Sequence, residues 1–438
     1  MYDNEINSIE SNAVLVGVVC GEQKEYETKI QEMIRLIEAC DMVYFASMLQ
    51  QLSNPDPATY IGSGKLKELS ELVKNNDLGY VVFLETLSPA QLKNIQNAVA
   101  ATVLDRTGLI LEIFARRAKT REARLQVEVA NLQYMLPRLV GMRAALSRQG
   151  GGSGSLSNKG QGEKQLELDR RHIEKRISML KKELEAIEHD RSVMRQKRVN
   201  GILPQVSLVG YTNAGKSTLM NRLVEASGGD EDKKVFEKDM LFATLDTTIR
   251  RISQKDGKDF LLADTVGFVS DLPHGLVKAF RSTLDEVRYA QLLLIVVDAS
   301  DEDYRLQLKV TEDTLDEIDA GKLPRLLVYN KCDMIERDAA GESIEEYIAR
   351  MNEESRNLDR VYVSGKLGLG LDELVSRIKE LSYMNNCELE LLVPYDKGYI
   401  INLINENGRM ISTDYREDGV YVVCDVPKSI AGRIGQIH

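Results

Sequence analysis

The 438-residue sequence predicts an α/β protein in four segments, and three observations carry that reading. Short Val-rich runs alternate with amphipathic stretches up to about Asp105, which predicts a small, mainly parallel α/β domain. Two heptad-like seams flank a Gly/Ser-rich stretch, which predicts an antiparallel helical pair with a Gly-rich tip. From Gln205 onward, strand-like runs lead directly into loops and helices, and an alternating tail closes the chain as a small α+β domain. The expected boundaries are 1–118, 119–200 with its loop at 149–162, 201–382 and 383–438.

In the first segment Ala13–Cys20 and Tyr80–Leu84 are apolar and rich in Val, as buried strands are, and Thr102–Asp105 adds a third run. Lys24–Ala39 and Ser88–Ala98 have helical spacing, with Ser88 as N-cap and Pro89 at the first helical position. Gly62-Ser-Gly-Lys65 has no strand before it and reads as a turn rather than a phosphate loop.

In the second segment Leu125, Val129, Leu132, Leu136, Leu139 and Leu146 share one helix face, and Pro137 is expected to kink it. Leu166, Ile173, Ile177, Leu180, Leu184, Ile187 and Met194 repeat the pattern. Between the seams, Gln149–Gly162 holds one apolar residue, Leu156. A linker between domains has no reason to sit at the end of a helical pair, so the stretch reads as a projecting tip.

Charge is uneven. The chain carries −11 overall, yet Arg116–Arg198 holds 20 Lys/Arg against 10 Asp/Glu. An acidic protein does not coat DNA, but a basic arm between acidic flanks can meet a polyanion through that arm alone. Arg143, Arg148 and Lys159 lie near the tip, with no acid between Glu128 and Glu163. Five scattered cysteines and four histidines lack disulfide or zinc spacing. No apolar run approaches the ~20 residues that span a bilayer. The start, Met1–Asn7, lacks a basic, then apolar, signal. The expected compartment is the cytosol, without membrane insertion.

The third segment carries the chemistry. Val206–Val209 reads as a buried strand, followed by Gly210-Tyr211-Thr212-Asn213-Ala214-Gly215-Lys216-Ser217 and a helical stretch. This is G-x-x-x-x-G-K-S in its required context: backbone N–H groups turn inward around phosphates, Lys216 reaches the β- and γ-phosphates, and Ser217 ligates Mg²⁺. Asp264-Thr265-Val266-Gly267 follows the strand Phe260–Ala263. Its acid can hold Mg²⁺ through water, and the Gly267 N–H can sense the γ-phosphate. Asn330-Lys331-Cys332-Asp333 follows Leu326–Tyr329, and the Asp333 carboxylate can accept from N1–H and the 2-amino group of guanine, which adenine cannot match. Ser364-Gly365-Lys366, after Val361–Val363, can reach guanine O6 through backbone N–H groups. The 201–382 segment is therefore expected to be a P-loop GTPase domain binding GTP or GDP.

These residues resemble the HflX family of ribosome-associated, translation-factor-related GTPases. The likeness extends to Asp105–Ala118, Gln126–Ala130, Leu136–Leu139 and Gly162–Arg171, and to Leu241–Asp246 and Asp264–His274, which are similar to the family's two switch regions. It covers nearly the whole chain, more loosely over the last fifty residues. It implies binding to the large (50S) ribosomal subunit and its rRNA, and splitting or remodelling of ribosomes, including stalled or stress-inactivated ones. It also implies a monomer off the ribosome. Spacing alone leaves Thr244, Thr247 and Thr248 open as the switch threonine that completes the Mg²⁺ shell. The resemblance selects Thr244, with Phe242, Ala243, Leu245 and Asp246 beside it on the nucleotide. Asn213 resembles the residue that holds K⁺ in cation-dependent relatives. The chain departs from the family in Ser155–Asn158 within the tip, and in Ser364-Gly365 where Ser-Ala is usual.

Many GTPases orient the attacking water with a Gln just after D-x-x-G; Phe268 stands there and can make no hydrogen bond. Lys216, Thr244, Gly267 and Asn213 are left as the catalytic set, with hydrolysis slow until a partner or K⁺ assists. The competing expectations are a regulatory switch acting on a protein partner and a ribosome-biogenesis factor. An ATP-driven RNA remodeller is disfavoured, because the N-terminal segment offers no second phosphate loop.

Overall fold

The computed structural model describes residues 11–20, 24–149, 156–199, 203–228, 242, 247–270, 286–335 and 342–437. They fall into two compact units, the first built on Met1–Ile187 and including Phe242, the second on Glu188–His438 without it.

The first unit begins with β1 (Asn12–Val19), α1 (Lys24–Ala39), β2 (Val43–Gln51), α2 (Ser63–Asn75), β3 (Tyr80–Phe83), α3 (Pro89–Ala98), β4 (Thr102–Leu104) and α4 (Arg106–Arg117). The strands pair in parallel in the order β2-β1-β3-β4. Val14, Val16, Val81 and Phe83 bury one sheet face against Leu69 and Ile95, so strands read as continuous apolar runs because both faces are covered. β2 has no such run. It is an edge strand with Val43 and Phe45 exposed, and its VYFASMLQQ sequence hides it from a search for buried strands. Ser88 caps α3 ahead of Pro89, as the sequence led us to expect, and with Gln91 it also closes a reciprocal capping box. Gly62 precedes the first turn of α2, so the G-S-G-K stretch is a helix start more than a turn.

Asp105 is fully buried and holds four donors. Leu87 N–H (3.0 Å), Gly108 N–H (2.8 Å), the Tyr134 hydroxyl (2.5 Å) and Arg138 Nη2 (2.7 Å) all end on its carboxylate. It therefore caps α4 and ties the loop after β3 to the following long helix. Replacing it with Asn removes the charge that Arg138 answers. Loss of a buried pair's partner costs about 3–5 kcal/mol. Urea unfolding followed by circular dichroism should show that loss; a change below about 1 kcal/mol would mean that packing alone holds the helix.

The arm consists of α5 (Arg121–Gln149), which runs through Pro137 without ending, and α6 (Leu156–Val199). Leu125, Val129 and Leu132 pack on Leu180, Leu184 and Ile187. Arg121 meets Glu183 at 3.0 Å and Glu128 meets Arg176 at 2.8 Å, so the helices run antiparallel, as their seams predict. Leu156–Gly162, expected inside the loop, is helical: extending a long helix costs far less than nucleating one, so Ser, Asn and even Gly are carried along. At about 1.5 Å per residue the 44 residues of α6 extend about 66 Å. Arg170 and Arg171 pair with Glu167, and the sequence places Arg143, Arg148 and Lys159 toward the tip.

In the second unit β5 (Gln205–Gly210), α7 (Lys216–Ala226), β6 (Thr248–Ile252), β7 (Phe260–Asp264), β8 (Leu292–Asp298), α8 (Tyr304–Glu317), β9 (Arg325–Asn330), α9 (Ile344–Glu354), β10 (Arg360–Tyr362) and α10 (Leu371–Ser382) follow in order. The sheet runs β10-β9-β8-β5-β7-β6, parallel except for β6. Val206, Leu208, Leu294 and Val328 fill its core beneath α7 and α10. The tail forms β11 (Asn386–Val393), α11 (Tyr399–Asn407), β12 (Arg409–Arg416), β13 (Gly419–Pro427) and α12 (Lys428–Ile437), with β12 and β13 paired as an antiparallel hairpin. The β6–β7 turn is bonded to this tail and to α10: Tyr383 Oη donates to Asp259 O (2.5 Å), Lys379 meets Asp256 (2.8 Å), and Arg409 donates to Asp256 O. All five cysteines are free; Cys40, Cys332 and Cys424 are buried, whereas Cys20 is exposed. Among the described residues no helix is long and apolar enough to cross a membrane.

Candidate functional site

The strand–loop–helix expected at Gly210–Ser217 is present, running from the end of β5 into α7. Gly215 has φ +91°, and a Cβ there would strike Asn330 Nδ2, so only glycine lets the loop close over the N-terminus of α7. Asn213 is also left-handed at φ 62°, a conformation Asn tolerates better than most residues.

Lys216 is buried, with its ammonium on Gly210 O (3.0 Å) and Tyr211 O (2.8 Å). Burial pulls its pKa down to about 8, against the opposing pull of nearby Asp264. Among the described residues its hydrogen bonds go to neutral carbonyls, so this buried cation is prepared for an anion. Ser217 Oγ donates to Asp264 Oδ2 at 2.7 Å, which brings the two expected Mg²⁺ groups side by side.

Asp264 ends β7, and the loop after it returns to the phosphate loop. Phe268 N–H donates to Gly210 O (3.1 Å), and Thr212 N–H donates to Phe268 O (2.7 Å). A Cβ on Gly267 would sit 2.8 Å from Thr212 Cα and 3.0 Å from Lys216 Nζ, so this position must be bare. Phe268 is 2% exposed and turned into the protein. Thr265 donates to Leu208 O (2.6 Å), and Val266 is buried, so both contribute backbone only. The Tyr211 hydroxyl accepts from Ser270 N–H (2.9 Å) and lies 2.7 Å from Ser270 Oγ, a strap that sequence reasoning missed because both side chains stand at variable positions of their motifs, 59 residues apart.

At the other end, Asn330 is structural: Nδ2 donates to Ala214 O (2.9 Å), and Oδ1 accepts from Gly365 N–H (2.9 Å). The Gly365 N–H, expected to reach a base, is thus already used, and Lys366 N–H remains. Asp333 Oδ1 accepts from Ser364 Oγ (2.6 Å). Lys331 reaches Asp298 (2.8 Å). Cys332 packs its side chain into the core, where burial pushes the thiol up to about 12.

One expected contact is corrected. Phe242 is 2% exposed and packs edge-to-face on Phe114 of α4, ring centroids 4.7 Å apart. Burial of the ring and its edge-to-face contact hold Phe242 in the core. Ala243, Thr244, Leu245 and Asp246 lie outside the described residues.

Three family models match along the chain. They are described as GTP-binding GTPase N-terminal (residues 27–115), GTP-binding GTPase Middle Region (117–198) and 50S ribosome-binding GTPase (205–331). The GTPase HflX of Lacrimispora saccharolytica is 39% identical over 431 residues, covering 97% of this chain and 96% of that one. That of Caldanaerobacter subterraneus is 40% identical over 430 residues, 98% and 94%. That of Escherichia coli is 43% identical over 386 residues, 88% and 86%. The likeness runs from the N-terminal sheet through the helical pair into the nucleotide site, so it does not rest on the phosphate loop, which many proteins share. The chain belongs to the HflX family of GTPases and hydrolyses GTP.

Proposed function

We propose that the GTP-bound protein docks on the large ribosomal subunit through its helical pair, contacts rRNA with the basic tip, and splits or remodels the ribosome. The observation that carries this is the basic excess of Arg116–Arg198, 20 Lys/Arg against 10 Asp/Glu, with no acid between Glu128 and Glu163 around the tip, in an otherwise acidic chain. The ribosome-binding description of the family model over 205–331 supports it.

In this reading the phosphates lie on Gly210–Ser217, with Lys216 neutralising the β- and γ-oxygens and the Gly267 N–H on the γ-phosphate. Guanine lies between Asp333 and Ser364–Lys366. Ser217 and Asp264 offer hard oxygen donors to Mg²⁺, with Thr244 joining on resemblance. Among the described residues no cluster of three His, Cys, Asp or Glu could hold a metal alone, so phosphate and water would complete the shell. When bound there, Mg²⁺ would supply charge neutralisation for phosphoryl transfer. The Phe268 side chain is buried and offers no hydrogen bond to an attacking water, so the isolated protein turns over slowly. Docking would order the segment around Thr244, and K⁺ at Asn213 would add charge.

Sucrose-gradient sedimentation with purified subunits tests this. The form holding a non-hydrolysable GTP analogue should travel with large subunits, the GDP form should not, and deletion of Gly150–Gly160 should abolish the difference. Turnover should rise at least tenfold with large subunits, a gain of about 1.4 kcal/mol or more in barrier, and further in K⁺ than in Na⁺. Equal turnover with and without subunits would overturn the ribosomal reading. Indifference to K⁺ would remove only its part.

A further inference from the structure

The structure assigns to Arg222 a part in guanine selection: from α7 it aims the one loop N–H that can meet the base oxygen. Its Nε donates to Gly365 O (3.2 Å), and its Nη2 donates to Lys366 O (2.8 Å). Nη1 is held by Glu225 one turn along the same helix (3.0 Å), which fixes the guanidinium plane.

The consequence follows from peptide geometry. Gly365 C=O and Lys366 N–H belong to one planar trans unit and point in opposite directions. Anchoring the carbonyl on Arg222 therefore turns the Lys366 N–H the other way. That N–H has no acceptor among the described residues, whereas Gly365 N–H is committed to Asn330 Oδ1. Ser364 Oγ on Asp333 Oδ1 fixes the loop's other end beside the base-reading carboxylate.

Gly365 gives the brace its importance. Glycine allows the flanking peptide to flip at little steric cost. A Cβ here would lie 3.3 Å from Asn330 Oδ1, tight enough to push on the group that carries the loop, so glycine suits the packing but does not hold the peptide. Arg222 supplies that hold. It is a positioning residue: it acts on the base through Lys366 N–H and touches no reacting atom.

This inference rests on the proposed seat of guanine between Asp333 and Ser364–Lys366. The probe is the ratio of affinities for GDP and 6-thio-GDP, which keeps N1–H and the 2-amino group but replaces O6 with sulfur, a weak acceptor. The full-length protein should favour GDP about tenfold, the worth of one hydrogen bond. In Arg222→Ala the ratio should collapse toward unity through loss of GDP affinity, and Arg222→Lys should restore part of it. Because the ratio is taken within one preparation, partial unfolding of a variant does not move it. A wild-type ratio near unity would sink the O6 contact and this inference together. A wild-type preference that Arg222→Ala leaves intact would overturn the role of Arg222 and spare the seat.

Discussion

Replacing Lys216 with alanine should lower affinity for GTP by about 10²–10⁴-fold, since it removes two charge-assisted contacts worth about 1.5–3 kcal/mol each. The wild-type protein should show the same dependence through pH. Burial holds the Lys216 pKa at about 8, below the 10.5 of an ordinary lysine. Phosphate favours the charged form, so binding raises the pKa and takes up a proton wherever the empty site is neutral. Affinity should therefore be flat below about pH 8 and fall about tenfold per unit above it. Stability of the empty protein should move the opposite way. Between about 8 and 10.5 the unfolded chain holds more protons at this lysine than the folded one, so its contribution to folding improves as pH rises. Titration with a fluorescent GDP analogue from pH 7 to 9 reads the first effect. If Lys216→Ala declines with pH in parallel with wild type, the lysine is not the titrating group.

The phosphate half of the site was legible in the sequence because its residues act through backbone and spacing. Gly215 must be left-handed, Gly267 must be bare, and the lysine must follow the loop, so the residue types announce the geometry. Phe268 was readable for the same reason, since a phenyl ring in a water-positioning place excludes that role whatever it packs against. The residues that hold the site in shape were not legible. Arg222 lies on an unremarkable stretch of α7 and meets its partners across 143 positions of sequence, and Tyr211 meets Ser270 across 59. Long-range polar pairs leave no period and no motif. Phe242 failed differently: its neighbourhood in the sequence resembles a switch, yet its ring is spent on packing against Phe114. In the fold, buried strands declared themselves by apolar runs, and the edge strand β2, half of it facing out, did not.

Exchanging Asp333 for asparagine should convert the protein from a guanine to a xanthine nucleotide enzyme. The wild-type carboxylate offers only acceptors, which suit the N1–H and 2-amino donors of guanine. Asparagine turns one acceptor into a donor and sets it against the guanine amino group, leaving a buried mismatch. Sites built around such bonds reject a mismatched partner by about 10⁴-fold or more, so GTP binding should drop by that order. Xanthine keeps N1–H and carries oxygen where guanine has its amino group, so asparagine's oxygen and nitrogen meet it in register. The surrounding frame should tolerate the change. Ser364 Oγ, now 2.6 Å from Asp333 Oδ1, can donate to an amide oxygen or accept from an amide nitrogen. Asn330, which bears the loop, is untouched. XDP should therefore bind Asp333→Asn within about tenfold of the wild-type affinity for GDP, about 1.4 kcal/mol, in a competition assay. If the variant keeps the wild-type affinity for GDP and gains none for XDP, Asp333 reads no base and guanine must be recognised elsewhere.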